Sequence, residues 1–241
     1  MIACEHIVSR FRRDIAIKAQ TLLASRVVLE DHIGDIREVA GLDVAYVKLE
    51  NVELGIGVAS LIDWVSLEHK ASFYVIKPIC VPYIPGLLAF REMEVLTPLL
   101  LEIENRADLF VVDGHGIAHP RFFGIASHLG LVFDKPSIGV AKHKLVGLVK
   151  EQGDKKVLIY EGKIVAEILD KDGITLFVSP GHKVSLETAT KLIKRMNLSP
   201  GELPEPTRLA DALSKQIKAR IQRNKAFDQL TLNKIIKIKT L

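Results

Sequence analysis

The chain has 241 residues, of which 48% are hydrophobic and 26% are charged, a balance typical of a globular protein. This composition excludes a largely disordered chain. No apolar run reaches the roughly 18 residues of a membrane-spanning helix, and early charged residues interrupt any signal-peptide pattern. Two cysteines are too few for a disulfide framework. We therefore expect a cytoplasmic protein that does not contact membranes.

The formal net charge of +4 is unevenly distributed. From residue 207 to residue 241 there are nine basic and two acidic side chains, so this basic tail carries +7 and residues 1–206 carry −3. A basic segment on a slightly acidic body is typical of a protein that binds a polyanion, but also of a solvated helix face. Charge alone leaves both interpretations open.

The hydrophobic pattern predicts an N-terminal amphipathic helix within residues 5–30 and then a mixed sheet. Short connections between the next three strands favour an antiparallel meander, and later strands alternate with helices. The predicted strands are 38–47, 53–65, 71–79, 108–113, 136–141, 156–160, 163–169 and 174–178, and the further helices are 87–106, 122–132, 185–196 and 208–225. A hairpin turn is predicted at Glu161-Gly162. The pattern indicates an α/β fold, with an antiparallel meander plus parallel strands flanked by helices, in one domain spanning 1–241.

Two aspartates stand where a carboxylate is costly, because Asp43 lies within an apolar strand and Asp113 ends a buried one. If these strands are neighbours, the paired carboxylates need a cation between them, and oxygen ligands favour Mg²⁺ or Mn²⁺. Alternatively, Asp113 caps a turn and Asp43 pairs with a basic side chain. Glu92, near the start of the following helix, is either a third acidic group of the site or a helix-dipole feature.

The turn Pro82-Tyr83-Ile84-Pro85-Gly86 holds an aromatic and a large aliphatic side chain between two prolines. A rigid apolar tip loses little entropy when it inserts between nucleic-acid bases, so this turn is a candidate wedge. The alternative is a turn that packs back onto the core.

The segment DGHGIAHPR at 113–121 combines polar groups with two glycines that let backbone approach a ligand. It lacks the third glycine of a dinucleotide fingerprint, and its glycine and proline disfavour the helix of a zinc-binding histidine pair. His119 is a candidate for proton transfer and Arg121 for a phosphate contact, unless hydrogen bonds merely hold the turn. Lys142, which follows strand 136–141, points into a site at that sheet edge or reaches to solvent.

Six segments, in this order, together resemble the endonuclease V family of deoxyinosine-directed endonucleases. The segments are GLDVAY (41–46), PYIPGLLAFRE (82–92), VDGHGIAHPRFFGIASHLG (112–130), PSIGVAKHKLVG (136–147), LFVSPGHKVSL (176–186) and PEPTRLADAL (204–213). The resemblance extends from about residue 10 to residue 222. It implies a ribonuclease-H-like fold, in agreement with the predicted sheet.

The resemblance also implies roles for individual residues. It places metal ligands on Asp43, Asp113 and Glu92, and also on Asp211, where some relatives have histidine. The catalytic histidine and lysine fall on His119 and Lys142. The remaining implied positions are the wedge at Pro82, Tyr83, Ile84 and Pro85, the base pocket at Gly114, Gly116 and Gly139, and phosphate contacts at Arg91, Arg121, Ser179 and His182. Phe122 departs from the family pattern, because many members have a second basic residue there, so one phosphate contact is missing or replaced.

The function implied by the resemblance is that of a DNA repair endonuclease that uses Mg²⁺, with Mn²⁺ as a substitute. Such an enzyme flips deoxyinosine, the product of adenine deamination, out of DNA and hydrolyses the second phosphodiester bond on its 3′ side. The alternatives are an inosine-specific endoribonuclease and a non-catalytic nucleic-acid binding module. The expected partner is nucleic acid, and no obligate protein partner is inferred.

Overall fold

The computed structural model describes residues 11–49, 52–171, 173–196, 203–223 and 239–240. The helices in these ranges are α1 (Arg13–Ala24), α2 (Leu88–Ile103), α3 (Ile125–Val132), α4 (Leu186–Met196) and α5 (Glu205–Arg223). The strands are β1 (Glu38–Leu49), β2 (Val52–Asp63), β3 (His69–Pro78), β4 (Leu109–Asp113), β5 (Ser137–Ala141), β6 (Leu148–Gln152), β7 (Lys155–Tyr160), β8 (Lys163–Lys171), β9 (Ile174–His182) and β10 (Lys239–Thr240). None of the described helices has the length and apolar character needed to cross a membrane.

All of these strands join one mixed sheet in the order β10-β3-β2-β1-β4-β5-β9-β8-β7-β6. β1, β2 and β3 form an antiparallel meander, and β4 and β5 run parallel to β1. β9, β8, β7 and β6 then continue the sheet in antiparallel order. The predicted α/β class and the mixed sheet are therefore confirmed.

Helices cover both faces of the central strands. On one face, α2 and α3 pack on β1 and β4 through a core that includes Leu42, Phe110, Leu99 and Leu129. On the other face, α4 and α5 cover the sheet through two further apolar clusters. Strands buried on both faces need continuous apolar runs, which explains the sequence LFVV before Asp113.

Several predicted boundaries differ from the structure for identifiable reasons. The predicted helix 122–132 begins only at Ile125, because Phe122 has a φ of 53°, which no right-handed helix accommodates. The helix predicted within 5–30 spans only Arg13–Ala24 in the described part of the chain. β6 was missed because all five of its residues are exposed, so it has no apolar alternation. The basic tail beyond residue 223 lies outside the described residues except for 239–240, and its contact with a polyanion stays a prediction.

The predicted hairpin turn is confirmed. Tyr160 pairs with Lys163 across the turn, and Glu161 and Gly162 between them have φ values of 47° and 76°. Two successive positive φ values are typical of a two-residue type I′ turn, whose twist matches that of the flanking strands. This geometry fixes the register of β7 against β8 at the tip.

The N-terminal end of α5 lies directly on β1 at Gly41. A β-carbon added to Gly41 would overlap the carbonyl carbon of Pro206 and the backbone nitrogen of Thr207. Because those atoms belong to backbone, no side-chain rotation can relieve the overlap. Glycine at this position therefore sets how closely α5 approaches the sheet.

We expect Gly41→Ala to lower the free energy of unfolding by about 3 kcal/mol, because an overpacked backbone contact must separate. Gly34→Ala is the matched control, because in the part of the chain that the structure describes a β-carbon at Gly34 meets no atom within 4 Å. Chemical denaturation of both variants measures the difference. Equal stability of the two variants would show that α5 tolerates displacement from β1.

Candidate active site

Three aspartates converge where β1 and β4 end their pairing. Leu42 pairs with Val112 in the parallel register, so Asp43 and Asp113 come next on the two neighbouring strands. Asp211 approaches from α5, and one carboxylate oxygen from each of the three residues lies within 4.8 Å of the others. In the described part of the chain, this acidic cluster is the one group of three or more His, Cys, Asp or Glu side chains close enough to hold a metal ion.

The environment of Asp43 disfavours its charged form. Burial raises the pKa of Asp43 to about 6, and the charges of Asp113 and Asp211 also raise it. Two groups oppose this shift, the hydroxyl of Ser214, which donates a hydrogen bond to Asp43 Oδ2, and the ammonium of Lys142. A bound cation would favour the ionised carboxylate in the same way.

Lys142 supplies positive charge to the cluster. Its Nζ lies 3.1 Å from Asp113 Oδ2 and 3.5 Å from Asp211 Oδ1, and Lys215 Nζ lies 2.6 Å from Asp211 Oδ2. Burial lowers the pKa of Lys142, but the neighbouring carboxylates outweigh burial and raise it overall. Lys142 therefore stays protonated. Three carboxylates that offer only oxygen atoms match the ligand preference of a hard divalent cation such as Mg²⁺.

Glu92 lies near this cluster but outside the group whose oxygens lie within 4.8 Å of one another. Its side chain is buried, and the Tyr46 hydroxyl lies 3.5 Å from its Oε1. Burial raises the pKa of Glu92 to about 8, and the charges of Asp43 and Asp113 contribute to the rise. The role of Glu92 as a metal ligand stays a prediction. Asp211 is the third member of the acidic cluster.

The candidate wedge projects from the protein. Tyr83 is 66% exposed, which contradicts the alternative that its side chain packs back onto the core. The Leu87 amide donates to the Ile84 carbonyl, and Gly86 has a φ of 77°. Together with Pro85, these features define a type II turn, which requires a positive φ at its third residue. The exposed ring therefore stands on a rigid backbone.

His119 and Arg121 hold this turn in place through hydrogen bonds. The Gly86 carbonyl accepts hydrogen bonds from His119 Nε2, at 3.0 Å, and from Arg121 Nη2. Arg121 Nε also donates to Gln20 Oε1, and the Arg121 amide donates to His119 Nδ1. Burial lowers the pKa of His119 to about 4, so its ring is neutral. The structure thus gives both side chains a positioning role, while proton transfer by His119 and phosphate contact by Arg121 stay predictions.

The other three predicted phosphate contacts are buried and engaged with protein. Arg91 forms an ion pair with Glu53, and its guanidinium lies 4.5 Å from the centre of the Tyr46 ring. Ser179 Oγ accepts a hydrogen bond from the Gly116 amide, and His182 Nδ1 accepts one from a backbone amide. Arg91, Ser179 and His182 are only 5%, 0% and 2% exposed, and their hydrogen bonds and ion pair give them a positioning role. Phosphate contacts at these three residues stay predictions.

The three glycines of the predicted base pocket face protein backbone or side chain. A β-carbon on Gly116 would overlap the Pro180 carbonyl, and one on Gly139 would overlap backbone atoms of Gly114 and Gly116. The Gly114 amide donates to a β5 carbonyl, and the Gly116 amide donates to Ser179. Close packing of the loop after β4 on β5 and β9 therefore explains glycine at Gly116 and Gly139. A base pocket at these positions stays a prediction.

Two residues of the site were missed by sequence reasoning. Ser214 stands three residues after Asp211, a spacing that places both on one face of a helix, and this periodicity was an available signal. Glu94 accepts hydrogen bonds from the amides of Cys80 and Val81 and so fixes the start of the wedge turn. Nothing in the local sequence distinguishes Glu94 from a solvated helix residue.

Comparison with known proteins identifies the family. The sequence profile of Endonuclease V matches residues 21–212. This chain belongs to the endonuclease V family. An endonuclease V from Aeropyrum pernix is 44% identical over 211 residues, which cover 88% of this chain and 82% of that protein. Membership in this nuclease family makes the chain an enzyme.

Solved endonuclease V structures share the fold. The structure from Bacillus subtilis superimposes with a TM-score of 0.81 at 27% identity, covering 89% of this chain and 96% of that one. The enzyme from Ciona intestinalis superimposes with a TM-score of 0.77 at 26% identity, covering 86% and 97%. That structure is a variant in complex with a 23mer DNA containing an inosine followed by a ribo-adenosine.

For this endonuclease V we expect Ser214→Ala to shift cation binding to higher pH. Loss of the donated hydrogen bond raises the pKa of Asp43 further above about 6, so protons compete more strongly with the cation. A hydrogen bond to a charged group is worth about one pKa unit, which sets the expected shift of the binding midpoint. Titration of Mn²⁺ at several pH values, followed by electron paramagnetic resonance, measures it.

Ser127→Ala is the matched control, because Ser127 is also buried but its hydroxyl has no hydrogen-bond partner among the described residues. The control should retain the pH dependence of the unmodified protein. An unchanged midpoint in Ser214→Ala would mean that the hydroxyl does not tune Asp43.

Proposed function

We propose that residues 1–241 act as a single-domain, cation-dependent endonuclease that recognises deoxyinosine in DNA and hydrolyses the second phosphodiester bond on its 3′ side. The observation that carries this proposal is the connection between two features. The loop that starts at Asp113 of the acidic cluster ends at Arg121, which holds Gly86 at the base of the exposed Tyr83 turn. The segment 113–121 thereby connects the proposed strand-separating wedge to the acidic cluster that would carry out hydrolysis.

The acidic cluster fits the chemistry of phosphodiester hydrolysis. Asp43, Asp113 and Asp211 would hold Mg²⁺, or Mn²⁺ in its place. An ion held there neutralises charge on the phosphodiester and makes water more acidic. Lys142 stays protonated beside Asp113 and Asp211, where its ammonium stabilises the negative charge that develops on the phosphate oxygens in the transition state.

Recognition of the lesion begins with the cost of removing a base from the stack. That cost is a few kcal/mol and is smallest for a mispaired base, so hypoxanthine leaves a duplex more readily than a paired base does. Tyr83, exposed on its rigid turn, would fill the space that the base leaves. The inosine-containing DNA bound by the Ciona intestinalis relative supports this substrate class.

We expect the wild-type protein to nick a duplex with one deoxyinosine in Mg²⁺, with a single cut at the second bond on the 3′ side, and chelation with EDTA to abolish the cut. Asp43→Ala and Asp211→Asn should each lower the cleavage rate by about 1,000-fold, because a ligand of the cation is lost. Both variants should still bind the oligonucleotide in Ca²⁺. Asp170→Asn, an exposed carboxylate paired with Lys156, is the control and should cleave normally.

The same assay decides between the candidate functions. The ribo-adenosine beside inosine in the Ciona intestinalis complex favours an inosine-specific endoribonuclease as the second candidate. Matched oligonucleotides with one deoxyinosine or one inosine give the preference directly. A wild-type protein that binds either substrate but never cuts with Mg²⁺ or Mn²⁺ is a binding module, and the enzymatic proposal then fails for this chain.

Tyr83→Ala should weaken binding to a deoxyinosine duplex about tenfold, because the stacking of one aromatic ring is lost. The melting temperature should stay the same, since the side chain is 66% exposed. Tyr83→Phe retains the ring and should retain affinity, whereas Val65→Ala, an exposed position with no proposed role, controls for surface truncation. Affinity in Ca²⁺ and thermal melting test this together. Unchanged affinity with a large loss of stability would assign the ring to packing.

A further inference from the structure

Three side chains gather at the turn between β7 and β8, and we call them the hairpin-tip cluster. Tyr160 and Lys163 face each other across the two-residue turn, and Phe122 reaches them from the loop before α3. The ring centres of Phe122 and Tyr160 are 5.5 Å apart, and Lys163 Nζ lies 5.1 Å from the centre of the Phe122 ring. Both rings are partly exposed and rest on a buried apolar cluster.

The backbone at Phe122 is strained. Its φ of 53° lies in the left-handed region, which a bulky side chain rarely adopts. The Phe122 amide donates to the His119 carbonyl at 2.8 Å, and the ring packs against Tyr160, so surrounding contacts maintain the conformation. Strain of this kind concentrates at functional sites, because it is retained where a side chain must point in one direction.

The hairpin-tip cluster lies beside the proposed wedge. Phe122 directly follows Arg121, whose guanidinium binds the Gly86 carbonyl at the base of the wedge turn. Arg121 is thus the chain neighbour of Phe122, and the ammonium of Lys163 lies over the Phe122 ring. Aromatic rings next to cations are the combination with which proteins hold unpaired nucleotides.

We propose that the hairpin-tip cluster is a second nucleic-acid contact, which binds one unpaired nucleotide flanking the lesion. The rings of Tyr160 and Phe122 would stack on its base, and Lys163 would contact the adjacent phosphate. This inference rests on the proposed function and extends it, because it adds a contact to an unpaired nucleotide of the lesion strand, beside the base that is flipped out. Stacking is tolerant of base identity, so the contact strengthens binding without adding sequence preference.

The first test is affinity for a single-stranded oligonucleotide with one deoxyinosine, measured in Ca²⁺ across a series of salt concentrations. Tyr160→Leu should bind about tenfold more weakly, whereas Tyr160→Phe should bind as the wild type does. Lys163→Gln should reduce the slope of log K against log salt by about 0.7, the value for one phosphate contact on a single strand. Lys156→Gln, a lysine on the same hairpin that pairs with Asp170, is the matched control and should leave the slope unchanged.

The second test detects stacking directly. The fluorescent base 2-aminopurine replaces each of the two nucleotides on either side of deoxyinosine, one position at a time. At one of these positions, its emission in the Tyr160→Leu complex should be at least twice that in the wild-type complex, because an aromatic ring no longer quenches it. Circular dichroism confirms that each variant is folded.

The outcomes separate this inference from the proposed function. If the wild type cleaves at deoxyinosine but the Tyr160 and Lys163 variants match it in affinity, salt slope and 2-aminopurine emission, the hairpin-tip cluster is only structural and the inference is overturned. If the wild type neither binds nor cleaves deoxyinosine or inosine substrates, the proposed function fails, and this inference fails with it.

Discussion

The backbone contact between α5 and β1 at Gly41 is the constraint on which the site depends. It brings the first turn of the helix against the strand two residues before Asp43. Along the helix from that contact, Asp211 reaches the acidic cluster and Ser214 donates to Asp43. A side chain at position 41 would push α5 away from β1. The Asp211 carboxylate would then move away from those of Asp43 and Asp113.

The cluster also shows how the protein manages concentrated negative charge. The charges of Asp113 and Asp211 raise the pKa of Asp43, and the charges of Asp43 and Asp113 raise the pKa of the buried Glu92. The hydroxyl of Ser214 and the ammonium of Lys142 oppose this effect at Asp43. A divalent cation bound to the cluster would further favour the ionised carboxylates. The apparent cation affinity of such a site depends on pH.

The alternation of apolar and polar residues and the long apolar runs were enough to predict the strands and the two aspartates that interrupt or end them. Asp43 and Asp113 were recognisable because each interrupts or ends a buried strand, and the parallel pairing of β1 with β4 confirms that they are neighbours. The internal partners of Arg91 and His182 were not predictable, because they come from distant parts of the chain. The surroundings of Phe122 were not predictable either. The sequence indicated only that one phosphate contact of the family is missing or replaced at this position. The structure places Lys163, forty-one positions along the chain, 5.1 Å from its ring, a pairing that no local pattern shows.

The carbonyl of Gly86 illustrates how the wedge turn tolerates change. A carbonyl oxygen has two lone pairs, and His119 and Arg121 each donate to this one oxygen. Loss of either donor leaves the turn held by the other, so single substitutions at these positions are buffered. The turn's own hydrogen bond, from the Leu87 amide to the Ile84 carbonyl, would remain even if both donors were lost. Such redundancy would allow evolution to exchange one of the two side chains while the other keeps the Gly86 carbonyl, and with it the geometry of the turn, in place.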